Sequence, residues 1–159
     1  MAEPTPHSMR WALGAFPTGI TVVSALIDGK PVGLTANSFT SVSLEPPLVS
    51  VNIMRTSTTW PLLRRAEHWG ISVLGDHQAA QVTLLSRPAS ERFNGIDWEA
   101  GDDGSVLLPG ANATFRVSVE SELEAGDHIL LLLRVLDLDR APAGDPLVFH
   151  GSQIRHLAA

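Results

Sequence analysis

The sequence predicts a mainly β protein, a largely antiparallel sheet or barrel carrying two or three short helices. Seven or eight short runs rich in Val, Ile, Leu and Thr recur along the chain. Asp28-Gly29 and Ala125-Gly126-Asp127 stand between such runs as hairpin turn signals. The stretch Gly33 to Leu44 is packed with Thr, Ser and Val, which favour pleated, half-buried structure over helix.

Taken in order, Ser8 can cap a short helix through about Ala15, which Pro17-Thr18-Gly19 breaks. Residues 1–9 are expected to form a flexible tail and 10–159 one domain. Ile20 to Ile27 reads as a strand, and a second starts at Pro31 after the Asp28-Gly29 turn. Thr40 to Leu44 alternates, Pro46-Pro47 punctuates it, and Leu48 to Ile53 follows as a strand. Pro61 to Ala66 is compatible with a helix, with Pro61 suited to its first turn. Trp69 to Leu74 is a strand and Gln78 to Leu85 a second short helix. Ser86 to Ser105 is a long irregular stretch, of the kind that usually forms a functional lid or mobile segment. Thr114 to Glu122 and His128 to Asp139 are long strands, and Pro146 to His150 and Gln153 to Leu157 close the chain.

Bulk properties narrow the class. At 159 residues the chain fits one domain, and 44% apolar with 18% charged residues is ordinary for a globular protein. The formal charge is −6 and the basic residues are scattered, which is no nucleic-acid footprint. The chain has no cysteine, excluding disulfides, thiolate nucleophiles and thiolate metal sites. No histidines pair at i, i+4 and no carboxylate cluster completes a metal site, so no metal is expected. The start lacks a signal-peptide pattern and the apolar run from Ile129 to Leu133 is too short to span a bilayer, so a cytoplasmic domain is expected. Gly70-Ile71-Ser72-Val73-Leu74-Gly75 has its second glycine one position late for a nucleophile elbow, and neither a G-x-G-x-x-G nor a P-loop occurs.

Three stretches carry candidate chemistry. Around Ala36 and Ser38, small side chains let a flat ligand approach the main chain, while hydroxyls, N–H groups and the Asn37 amide offer donors and acceptors. That suits a planar, heteroatom-rich cofactor, and equally a Ser/Thr-rich sheet edge. Arg55-Thr56-Ser57-Thr58-Thr59 precedes a helix start, which suits a phosphate or a simple helix cap. Asp127-His128 opens a strand after a glycine turn, as a turn pair or as a site histidine.

These pieces occur together in a known order. Phe16 to Val23, Gly33 to Leu44 with Pro46-Pro47-Leu48-Val49, Arg92-Phe93-Asn94-Gly95, Trp98, Gly126-Asp127-His128 and Pro146 to Gly151 resemble the flavin reductase family with the FMN-binding split barrel. The resemblance runs from about Trp11 to Leu157. It implies a homodimeric, six-stranded antiparallel Greek-key split β-barrel with a flavin, FMN or FAD, at or near the dimer interface. By position, Thr35, Ala36, Asn37, Ser38 and Ser41 would hold the ring system and ribityl chain. Asn52, Arg55, Thr56, Ser57 and Thr58 would meet the phosphate, and Ser86 and Arg87 the rest of the flavin. Arg92 and Phe93 would shape the pocket, and His128 would position the nicotinamide of NADH or NADPH. The implied activity is hydride transfer to the flavin, with reduced flavin supplied to a separate monooxygenase. A flavin- or haem-binding module without turnover, or a structural dimer, is the alternative. The family's closing segment often carries tyrosines where this chain has Phe149 and Ile154.

Overall fold

The computed structural model describes residues 2–158. Its elements are α1 (Pro6–Leu13), β1 (Thr21–Ile27), β2 (Lys30–Ala36), β3 (Thr40–Leu44), β4 (Pro47–Met54), α2 (Trp60–Leu63), β5 (His68–Val73), α3 (Ala79–Leu85), β6 (Glu99–Ala100), β7 (Val106–Leu107), β8 (Ala113–Ala125), β9 (His128–Arg140), β10 (Leu147–His150) and β11 (Gln153–His156). The main sheet has the order β2-β1-β5-β8-β9-β4-β3, with every neighbour antiparallel. β5, β8 and β9 are consecutive neighbours, and β4 returns by a long connection to lie beside β9, which is a Greek key. The split-barrel class matches the expectation. The strand count does not: the sheet has seven strands rather than six, because short β3 pairs onto the outer edge of β4.

Alternation along β1 organises the interior. Val23 and Ala25 pack with Val51, Ile71, Val117, Leu131 and Leu133 inside the barrel. Ile20, preceding the strand, and Val22 pack on the other face with Leu74, Leu85, Leu108 and Leu147. A strand buried on both faces must be apolar throughout or satisfy its polar atoms locally. Ser24 does the second, donating its hydroxyl to the Val106 carbonyl at 3.0 Å, and Thr21 donates to the Ala36 carbonyl at 2.8 Å.

The turns follow their chemistry. Asp28 and Gly29 both have positive φ, 50° and 77°, the geometry of a two-residue hairpin loop whose twist matches its strands. Gly126, at φ 64°, opens the two-residue loop from β8 to β9, placing Asp127 and His128 at the barrel rim.

Several local expectations are corrected. The first helix begins at Pro6 with Thr5 as its cap. Ser8 is the third helical residue, and the two side chains each accept from the other's backbone N–H. Residues 6–9, expected in the tail, are thus helical. α2 is a single turn ending at Leu63, because the Trp69 indole N–H takes the Leu63 carbonyl at 2.8 Å. Trp60 meets Trp69 edge-on at 5.9 Å, fixing that turn against the barrel. The irregular stretch 86–105 is not structureless, since it holds a one-turn helix at Ala89–Glu91 and enters the β6–β7 ladder. Among the described residues no helix is long and apolar enough to cross a membrane.

β5 packs closely under β7 at Gly70, where an added methyl would overlap the Val106 carbonyl. Gly70→Ala should therefore destabilise the fold by about 3 kcal/mol, a melting-temperature loss of roughly 6–12 °C. Gly19→Ala, which meets nothing within 4 Å, should leave the melting temperature near the parent value in the same calorimetric scan.

Candidate functional site

The seam of the barrel lies where β2 and β4 approach without pairing. Only residues 37–39 link β2 to β3, and β3 then pairs with β4. Ser38 bridges the gap: its hydroxyl accepts from the Asn52 N–H at 2.9 Å and donates to the Asn52 carbonyl at 3.3 Å. One side chain thus supplies both halves of a missing ladder rung.

Beside this bridge a cleft of about 690 Å³ opens. Thr35, Ala36, Asn37 and Ser38 form one wall, and Asn52 lies on the other. Thr56, Ser57 and Thr58 close one end, with Arg92 and His128 also in the lining. The structure thus brings ten of the fifteen residues predicted from sequence into one cleft. No carboxylate lines it. Among the described residues, the side chains of Thr35, Asn37, Asn52, Thr56 and Thr58 make no hydrogen bond within the chain, although they share this cleft. Leu34, Ile53, Met54 and Leu130 supply its apolar surface. The sequence reading missed these four because they are strand residues whose exposure depends on the unpaired seam.

Five predicted residues lie outside this lining. Ser41 sits exposed on β3, opposite Val49. Arg55 is adjacent, with its backbone N–H on the Asp127 carbonyl at 3.0 Å and its guanidinium 3.8 Å from Glu124. Ser86 lines a smaller hollow of about 290 Å³ that shares Thr35, Ala36 and Asn37 with the cleft. Phe93 faces a separate groove that shares Thr58. Arg87 is a clasp, donating to the carbonyls of Leu84, Arg92 and Asn94 at 2.8, 3.2 and 2.6 Å.

Arg92 is both lining and brace. Its guanidinium donates to the Arg87 carbonyl at 3.2 Å, the Gly33 carbonyl at 3.0 Å and the Thr59 hydroxyl at 2.8 Å. Thr59 is 1% exposed, so this bond joins the 86–94 loop to β2 and to the start of α2 in a shielded place. The residue was visible in the hydroxyl run, but its role depends on a partner 33 positions away.

The expected helix-terminus field at the Thr56–Thr58 end is weaker than the sequence suggested. α2 has one turn, and the Ser57 hydroxyl already accepts the N–H groups of Thr59 and Trp60 at 3.2 and 3.3 Å. Anion affinity there must come from the Thr56 and Thr58 hydroxyls and neighbouring Arg55.

At the rim, His128 Nδ1 lies 2.7 Å from the Asp127 carboxylate. The hydrogen bond to His128 is the main cause holding the Asp127 carboxyl below the usual carboxylate range. An ionised carboxylate only accepts, so Nδ1 carries the proton and Nε2 is left as an acceptor in the neutral ring. Among the described residues no group of three or more His, Asp or Glu is arranged to hold a metal ion.

A split antiparallel barrel with a carboxylate-free polar cleft at its seam defines the class of protein. The chain belongs to the flavin reductase like domain family, whose model matches residues 13–158. It is 40% identical over 145 residues to the FMN reductase (NADH) SmoA of Agrobacterium fabrum, covering 91% of this chain and 82% of that one. Among solved structures, the NADH:FAD oxidoreductase SgcE6 of Streptomyces globisporus, in complex with NAD and FAD fragments, superposes with a TM-score of 0.91 at 33% identity, covering 99% of this chain and 96% of that one. The styrene monooxygenase flavin reductase of Pseudomonas putida S12 superposes with a TM-score of 0.86 at 33% identity, with 95% and 97% covered. The chain spans 42% and 57% of the length of two Rhizobium meliloti relatives that it matches at 42% and 40% identity.

Arg92→Ala should cost about 2 kcal/mol in urea unfolding, since it strands the buried Thr59 hydroxyl and the Gly33 carbonyl. Arg92→Lys should recover only part, because an ammonium cannot span the three acceptors as a fork does. Equal stability of parent and Arg92→Ala would remove the brace. For the Asp127–His128 pair the sign is that of a carboxyl depressed in the folded state: its contribution is present above the unfolded value of about 3.9 and lost as pH falls through the lower folded value. The stability gap between the parent and Asp127→Asn should be constant near neutrality and shrink below about pH 4.

Proposed function

We propose that this protein is an NAD(P)H-dependent flavin reductase that reduces FMN or FAD and passes the reduced flavin to a separate monooxygenase. One observation carries the reading: five polar side chains without partners in the chain converge with Arg92 and His128 on one carboxylate-free cleft. The names of the relatives, among them an FMN reductase that uses NADH and the reductase of a styrene monooxygenase, support the same reading.

The cleft residues fit a flavin nucleotide. Small Ala36 permits close approach to the main chain, and Thr35, Asn37 and Asn52 offer donors and acceptors to polar ring edges and the ribityl chain. Thr56, Ser57 and Thr58 would hold the phosphate, with Arg55 beside them. Ser38 contributes shape, its hydroxyl being committed to Asn52. Ser86 would touch the flavin from the adjoining hollow, and Phe93 and Arg87 would act by packing and by holding the 86–94 loop. Ser41, on the exposed face of β3, is assigned only to the flavin's outer contacts.

When bound, the flavin supplies the hydride acceptor, and the protein supplies position and polarity. Asp127 fixes the His128 tautomer so that Nε2 can accept from the carboxamide of a nicotinamide at the cleft mouth. No side chain need serve as acid or base for hydride movement.

A homodimer belongs to the same proposal. α1 buries none of its residues yet carries Trp11 at 80% exposure, and β3 carries Leu44 at 90%. Apolar groups so exposed are natural contacts for a second copy.

NADH and NADPH oxidation, followed at the nicotinamide absorbance with and without added FMN or FAD, tests the activity. Turnover dependent on added flavin is expected, whereas flavin binding without turnover would favour the non-catalytic module. His128→Ala should raise the KM for the nicotinamide nucleotide about tenfold and leave the flavin Kd unchanged. Equal losses in both would end the assignment of His128.

A further inference from the structure

A second groove, of about 580 Å³, runs from the seam toward α1. It shares Asn37, Ser38 and Asn52 with the cleft, so one ligand could lie in both. Its ionisable lining groups are Arg10 and His150, and no carboxylate lines it, although the chain carries a formal charge of −6. Three phenyl rings, Phe16, Phe39 and Phe149, supply aromatic surface, Phe16 being 72% exposed at the lip. Thr18 also lines the groove, and its hydroxyl is shielded from solvent with no partner in the chain.

The walls are held in place. The Gly151 N–H donates to the Gly14 carbonyl at 2.9 Å, just beyond α1. Thr18 and Phe149 exchange backbone hydrogen bonds at 2.9 and 2.8 Å. Arg10, one turn before Gly14, is also among the groups that lower the Asp127 carboxyl, which puts its charge within electrostatic reach of the rim where His128 sits.

We propose that this groove binds the adenosine-diphosphate portion of a dinucleotide whose other end occupies the seam cleft. The inference rests on the flavin reductase reading and extends it to a specific surface. Arg10 is the cation for the diphosphate, since guanidinium groups take phosphate oxygens in paired hydrogen bonds. Phe16 offers a free face for adenine, because base-on-ring stacking tolerates an exposed platform. FMN has no adenylate and would fill the cleft alone. The shared chemistry has two sources, the tail of FAD and the tail of the nicotinamide dinucleotide, and binding experiments separate them.

The test is titration calorimetry on the full chain, comparing the parent with Arg10→Gln and Phe16→Ala against FMN, FAD, NAD+ and NADP+. Both positions are exposed, and Arg10→Lys serves as the charge-retaining variant. The variants should leave FMN affinity unchanged and weaken at least one dinucleotide about tenfold, with Arg10→Lys retaining most of the affinity. Loss confined to FAD assigns the groove to the flavin tail, and loss confined to NAD+ or NADP+ assigns it to the hydride donor. Loss of both means that the groove serves each in turn. Unchanged dinucleotide binding overturns the groove and leaves the cleft reading intact, and an equal fall in FMN affinity also overturns it. A parent protein that binds none of the four overturns both readings.

Discussion

The rest of the structure depends on a rung that the barrel does not form. β2 and β4 stand edge to edge, but the three-residue link from β2 turns the chain outward, so that β3 rather than β2 takes the edge of β4. An open seam leaves backbone donors and acceptors without a ladder, which is costly unless water or a side chain serves them. Ser38 closes one such place by bonding both the N–H and the carbonyl of Asn52. The remainder of the seam stays open and becomes the cleft. A larger residue in place of Ala36, already 8% exposed, would fill the space that separates the two edges.

An open seam needs stiff flanks, and these come from contacts distant in sequence. Arg92 ties the 86–94 loop to β2 and to Thr59, while the Trp60–Trp69 contact seats α2 on the barrel wall. Each brace is itself shielded, so its hydrogen bonds are worth more than the same bonds at the surface. By contrast, Arg55 and Glu124 are both largely exposed at 3.8 Å, a pair too weak to fix either side chain. The cleft thus combines rigid backbone walls with at least one cation free to adjust.

What the sequence revealed and what it hid divide along the same line. Strands, hairpin turns and the order of the motifs were legible, because alternation and the positive-φ demands of Asp28-Gly29 and Gly126 are local. Ten of the predicted site residues share the cleft for the same reason: they lie in two short segments that the barrel brings together. The committed hydroxyl of Ser38, the brace at Thr59 and the clasp made by Arg87 were not legible. Each depends on a partner that only the fold supplies, and composition cannot tell a hydroxyl that is free from one already bonded. The length of α2 failed likewise, since a helix-compatible sequence stops where Trp69 claims the Leu63 carbonyl.

The character of the cleft bears on how tightly a nucleotide could be held there. Its free donors are neutral hydroxyls and amides, the one-turn helix adds little field, and the Arg92 guanidinium spends three of its hydrogen bonds on the protein. Neutral hydrogen bonds exchanged with water contribute only about 1 kcal/mol each, whereas charge-assisted ones contribute roughly twice that. A ligand gripped by many weak, water-competed contacts and few charged ones dissociates readily, because each contact can be replaced by solvent in turn. That is the physical requirement of the proposed function, in which the reduced flavin must leave for a second protein. The same reasoning makes the cationic groove beside Arg10 consequential: with so little charge inside the cleft, a single guanidinium at its flank is enough to decide which nucleotide stays longer.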